Sequence, residues 1–137
     1  MGIPAEREGT MKSLTIAATL ILAGVMAYGV SALAQPAAGG KADPVKVDAK
    51  HYKVEFENES VRVLRISYAP GEKSVMHYHP NGVAVYLTDG NTRMTTPDGK
   101  TQEMPVKAGA AAWTPAGSHL PQNIGGRLEL VLVELKK

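Results

Sequence analysis

Gly71-Glu72-Lys73-Ser74-Val75-Met76-His77-Tyr78-His79-Pro80 places two histidines two residues apart, between turn formers and apolar runs. The segment reads as a β-strand. Strand side chains alternate between faces, so His77 and His79 project from the same face, with Cα atoms roughly 7 Å apart. Two imidazoles at that spacing can converge on one metal ion, each nitrogen about 2.0–2.1 Å away. The plainer alternative is a pair of exposed polar residues on a solvated strand. Against it stands His119, which lies in a second segment punctuated by Gly and Pro. The chain has 4 histidines, so these two segments hold all but His51.

The rest of the composition narrows the chemistry. The chain has 137 residues, a net charge of +2, 44% hydrophobic residues and no cysteine. This suits a packed globular domain. It excludes disulfides, thiolate metal sites and cysteine nucleophiles. Lys and Arg are scattered rather than clustered, which gives no case for a nucleic-acid partner.

The N-terminal third has a different character. Lys12 precedes an uncharged run from Ser13 to Gly40, apolar from about Leu14 to Val30. Ala32-Leu33-Ala34 fits a small-residue cleavage site, so residues 1–34 are expected to be a signal peptide, with Gln35 as the mature N-terminus. Met11 offers an alternative start. The expected location is periplasmic or secreted. The alternative is an uncleaved anchor facing the periplasm, because the apolar run approaches the ~17–25 residues of a span. Residues 35–47, rich in Ala, Gly, Pro and Lys, are expected to be a flexible linker. The folded domain is expected over 48–137.

Within that domain, short strand signals repeat and no helix is expected. The expected strands are Tyr52–Phe56, Val61–Tyr68, Val75–His79, Val83–Thr88, Thr92–Thr96, Thr101–Val106, Ala110–Thr114 and Arg127–Leu135. Between them lie turn clusters such as Asn58-Glu59-Ser60 and Pro97-Asp98-Gly99-Lys100, where Pro presets φ and Gly accepts φ > 0. Regular short strands with turns between them indicate an all-β sandwich or barrel.

Two ordered motifs in these residues resemble those of the cupin superfamily. The first runs Gly, five residues, His-x-His, three or four residues, Glu, six residues, Gly. Gly71, His77, His79 and Gly90 fall in place, and Val83 stands at the Glu position. The second runs Gly, five residues, Pro-x-Gly, two residues, His, three residues, Asn. Gly109, Pro115, Gly117, His119 and Asn123 match it, with one residue fewer between Gly117 and His119. The resemblance spans about Tyr52 to Leu135. More narrowly, His51–Asn58 and Thr114–Asn123 look most like small single-domain bacterial cupins of the β-alanine-degradation type. The resemblance implies a double-stranded β-helix, or jelly-roll barrel, with a metal in its mouth held by His77, His79 and His119.

The absent glutamate changes what such a site would do. A two-histidine-plus-carboxylate face offsets one positive charge and favours Fe(II) or Mn(II). Three neutral imidazoles leave a divalent transition ion its full charge and open positions, which favours an anionic ligand. Some cupins with three-histidine sites are thiol or diketone dioxygenases, and by that resemblance Fe(II) is favoured, with Ni, Mn, Cu or Zn as alternatives. Val83 shares parity with Val85 and Leu87 and is therefore expected to face inward.

Other residues are weighed beside these. Gln122 and Asn123 are candidates to add an oxygen ligand or orient an imidazole, although a turn role suits Asn123 as well. Arg65 interrupts an apolar strand and is a candidate for binding a substrate carboxylate bidentately, or else faces solvent. His51 is expected on the surface, Glu72 and Glu103 near solvated turns, and Met94, Met104 and Trp113 in the core, with an interface as the other option for Trp113. Two functional classes remain. One is a metal-dependent, dioxygenase-like enzyme acting on a small anionic molecule. The other is a non-catalytic periplasmic metal or small-ligand binding module. A homodimer is the expected assembly, and contact with a membrane is expected only through an uncleaved N-terminal segment.

Overall fold

The computed structural model describes residues 41–137. The expected signal segment, its cleavage after Ala34, the alternative start at Met11 and the linker up to residue 40 lie outside the described residues.

The strands follow from strict alternation of apolar side chains. In β2 (Val61–Tyr68), Leu64, Ile66 and Tyr68 are buried, and in β9 (Leu128–Leu135) so are Leu128, Leu130 and Leu132. These two strands pair antiparallel with Leu64 opposite Leu132, Ile66 opposite Leu130 and Tyr68 opposite Leu128. A one-residue slip would turn the whole set to solvent, so the alternation fixes the register. β1 (Tyr52–Glu57) pairs with the outer side of β2. β4 (Gly82–Tyr86) pairs with the other side of β9, and β7 (Ala111–Thr114) closes this five-stranded sheet in the order β1-β2-β9-β4-β7.

The second sheet has four strands: β3 (His77–His79), β8 (Gly117–Asn123), β5 (Gly90–Thr95) and β6 (Thr101–Val106), in that order. Every pairing in both sheets is antiparallel. The inner faces of the two sheets enclose a shared interior, giving the expected all-β jelly-roll barrel. Gly71 and Gly109 sit at φ 80 and 83, in turns that lead towards β3 and β7. There a side chain's Cβ would be strained, and glycine is not.

Five expectations are corrected here. The expected linker does not reach Val47, because Pro44–Val47 form a short helix, α1. Asp43 caps it by accepting from the Val45 N–H, and Pro occupies the first turn, where its missing N–H costs nothing. Arg62 holds Asp43 at 3.0 Å, and the Tyr78 N–H donates to the Ala42 carbonyl, so this segment packs on the barrel. β8 was not among the expected strands, since Ser118, Pro121 and Gln122 hide its alternation. Trp113 is 57% exposed on edge strand β7 instead of in the core, and Met104 on edge strand β6 is also exposed. Val83 does not face inward. Ala84 and Tyr86 carry the buried parity of β4, and Ala84 lies opposite the buried Leu132.

Candidate metal centre

Cross-strand register brings the three histidines together. His77 and His79 share the inner face of β3, and His77 lies directly opposite His119 of β8. Ring centroids are 4.8 Å apart for His77–His79, 4.9 Å for His77–His119 and 5.2 Å for His79–His119. One ligand atom from each lies within 4.8 Å of the others, a group able to hold a metal ion. The loop before β3 is pinned to β8 by backbone bonds: Gly71 N–H to the Asn123 carbonyl, Asn123 N–H to the Glu72 carbonyl and Ser74 N–H to the Pro121 carbonyl. Residues over forty positions apart in sequence are thereby held in one plane of the barrel.

The orientation of the rings fits a cation. His77 Nδ1 lies 2.8 Å from the Val75 carbonyl, which can only accept, so Nδ1 carries the proton. Its Nε2 is then a bare lone pair, buried and without a hydrogen-bond partner. Such an atom would be costly in a closed apolar core, and a bound metal ion could satisfy it. His79 Nδ1 sits 2.5 Å from Glu134 Oε1. The carboxylate accepts a hydrogen bond from Nδ1–H, which leaves the lone pair on the other ring nitrogen. Glu134 is 1% exposed, and its second oxygen accepts from Arg62 Nε at 2.6 Å. Burial works against ionisation of Glu134. The hydrogen bonds from His79 and Arg62 outweigh it and hold the carboxyl below its usual range.

The electrostatics also keep two ligands neutral. Burial first, then the neighbouring His79, pushes His77 down to about 4. Burial, then His77 and His79, pushes His119 down to about 3. Neutral imidazole is the form that coordinates.

Behind His77 lies a polar cluster that composition did not reveal. His51, expected on the surface, is only 6% exposed. Its Nδ1 meets the Asp48 carboxylate at 2.8 Å, its Nε2 meets Glu72 Oε2 at 3.0 Å, and its ring stacks on Tyr68 at 4.2 Å. Asp48 also accepts from Ser74 Oγ at 2.5 Å, and that hydroxyl lies 3.4 Å from His77 Nδ1. Glu72 is not a free solvated side chain. Besides His51 it engages Lys50 and the Ala69 N–H, and these bonds, Lys50's first, hold its carboxyl down at about 2.

Three sequence candidates lie elsewhere. Arg65 has the outward parity of β2 and pairs with Glu55 on β1 at 2.8 Å, so it does not reach the interior. Gln122 has the parity opposite to His119 and faces away from the cluster. Asn123 is fully buried, but its amide donates to the carbonyls of Tyr68, Ala69 and Gly126. It is a turn clamp. On β4 it is Ala84 rather than Val83 that is buried and shares the cavity wall with His79 and His119, so a methyl group stands there in place of a carboxylate. The residue that sequence reasoning missed is Glu134. Its signal was available: it continues the inward series Leu128, Leu130, Leu132, where a charge must have a partner.

His79 and His119 open on a cavity of about 350 Å³ between the sheets. Tyr52 and Tyr68, whose hydroxyls are 2.6 Å apart, form part of its wall. The Tyr52 ring packs 4.7 Å from that of His77.

Two predictions follow from this geometry. Glu134→Gln keeps the shape but removes the charge that anchors His79. Metal affinity, measured by competition with a chromophoric chelator, is expected to fall about 10–100-fold, while Glu129→Gln on the exterior leaves it unchanged. The second concerns pH. Between about pH 6.5 and the depressed values of His77 and His119, the unfolded chain binds protons that the folded one refuses. Metal-free protein therefore loses stability as pH falls through that window. Thermal melts of His119→Leu are expected to show a shallower loss over the same range.

The comparisons agree with this architecture. The family model described as "Cupin domain" matches residues 64–135, more than half of the chain. Among solved structures, a cupin domain from Bordetella pertussis Tohama I is similar, with 27% identity and a TM-score of 0.59 over 63% of this chain and 92% of that one. An RmlC-like cupin family protein with a double-stranded β-helix fold from Methanocaldococcus jannaschii is similar at 26% identity and a TM-score of 0.50, over 65% of this chain and 84% of that one. None of the curated proteins matches. With its barrel, its two motifs and its histidine cluster, the chain belongs to the cupin domain family.

Proposed function

We propose that the protein is an exported, metal-dependent cupin that carries out dioxygenase-type oxidation of a small anionic molecule at His77, His79 and His119. The observation that carries this reading is the buried, unpartnered Nε2 of His77 beside two further imidazoles at the edge of a cavity. A divalent ion there, Fe(II) in the favoured case, supplies Lewis acidity and redox chemistry.

The remaining steps belong to the chain's own residues. His79 is held by Glu134 and His77 by the Val75 carbonyl, so both rings are oriented before any ligand arrives. Ala84 leaves open the space that a carboxylate ligand would take, and with neutral imidazoles the site keeps a net positive charge that attracts an anion. Glu134 is occupied by His79 and Arg62 and does not serve as a free base. Asp48 and Glu72 are bound to His51 and do not line the cavity. The lack of a spare general base favours oxidation over hydrolysis or isomerisation.

The test is to load Fe(II) under anoxia and follow oxygen uptake with small thiols, diketones and monocarboxylates. Uptake with product formation, abolished in His119→Ala, is the expected result. Tight metal retention with no uptake would favour a non-catalytic metal or ligand binding module. The export part of the proposal rests on the Ala32-Leu33-Ala34 site, and N-terminal mass analysis is expected to find Gln35 first.

A further inference from the structure

The cavity beside the histidines has an unusual charge inventory. Among the described residues, no Asp, Glu, Lys or Arg lines it. The wall is made of aliphatic side chains such as Ile66, Leu130 and Met94, of tyrosines, and of a few neutral polar groups such as Thr92 and Gln102. The charged residues of the same strands are committed elsewhere. Arg65 pairs with Glu55 and Arg93 with Glu103 on outer strand positions, Arg127 just before β9 pairs with Glu129, and Lys100 and Asp98, beside Thr96 and Gln102 at the cavity's rim, pair with each other. Arg62 is spent on Asp43 and Glu134.

We propose that the cavity selects ligands with a single anionic head on a neutral, mostly apolar body, and rejects dicarboxylates and zwitterions. This rests on the reading of the three histidines as a metal site. A metal held by neutral imidazoles can match one anionic head. A second charge, of either sign, would lie along a wall with no counter-charge and lose part of its water, a cost that the contacts there do not return. An apolar body instead gains from contact with Ile66, Leu130 and Met94. Amino acids, although small, therefore fall outside the preferred class. Selection lies in the absence of any charged side chain, of either sign, along the wall, a rejection device as much as an attraction.

The test uses three six-carbon chains that differ only at the far end: hexanoate, adipate and 6-aminohexanoate. Each is titrated into Co(II)-loaded full-chain protein while the visible absorption of the metal is followed, with azide as the probe of an open coordination position. Hexanoate is expected to bind about tenfold or more tightly than either of the others. Gln102→Arg, at the solvent-exposed side of the cavity, is expected to narrow the gap between adipate and hexanoate, and Met104→Arg to do the same from the neighbouring strand position. Equal affinities for the three chains, with azide still perturbing the spectrum, would overturn the selectivity while leaving the metal site standing. A spectrum that azide does not perturb would overturn the open anion site and this inference together.

Discussion

The buried carboxylate of Glu134 is the constraint on which the site depends. It stands at the end of a leucine series on β9, where another leucine would have continued the core. From there it reaches His79 with one oxygen and Arg62 with the other. Taking either partner away would leave one oxygen of a nearly inaccessible carboxylate unsatisfied, and taking both would strand the charge, a loss of about 3–5 kcal/mol in comparable buried pairs. Arg62 in turn holds Asp43, the cap of α1. One network thus ties the His79 ring, the central strands and the segment leading into the barrel. The second anchor, Asp48 with Ser74 and His51, does the same for the His77 side.

These two anchors explain how the histidines can sit close together in an apolar interior. His79 Nδ1 donates to a carboxylate and His77 Nδ1 to a backbone carbonyl, which leaves the buried Nε2 of His77 unpaired. Burial then penalises protonation of His77 and His119, which keeps these two rings in the form able to bind a cation. The cavity beyond is nearly free of formal charge, so the positive character of the centre would come from the metal alone.

Much of the fold was legible from sequence because alternation and turn chemistry are local properties. Val61–Tyr68 and Thr101–Val106 were read with their observed bounds, and the convergence of His77, His79 and His119 followed from strand parity and motif order. What was not legible depends on partners distant in sequence. The burial of His51 needs Asp48, Glu72 and Tyr68 around it. Arg65 is explained by Glu55 on the adjacent strand. The assignment of Val83 rested on a motif gap of three residues, whereas the pairing of Ala84 with Leu132 puts the inward position one residue later. Trp113 was read as core because it is large and apolar, yet its strand is a sheet edge at the exposed side of the barrel.

The central claim is that three imidazoles, and no carboxylate, hold one metal ion per chain. X-ray absorption spectroscopy at the metal edge of the Zn(II)-loaded protein tests it most directly. The account predicts three histidine nitrogens at about 2.0–2.1 Å, seen as outer-shell imidazole scattering, with the remaining ligands from solvent or added anion. Scattering from two or fewer imidazoles, or the same spectrum after His119→Ala, would contradict it.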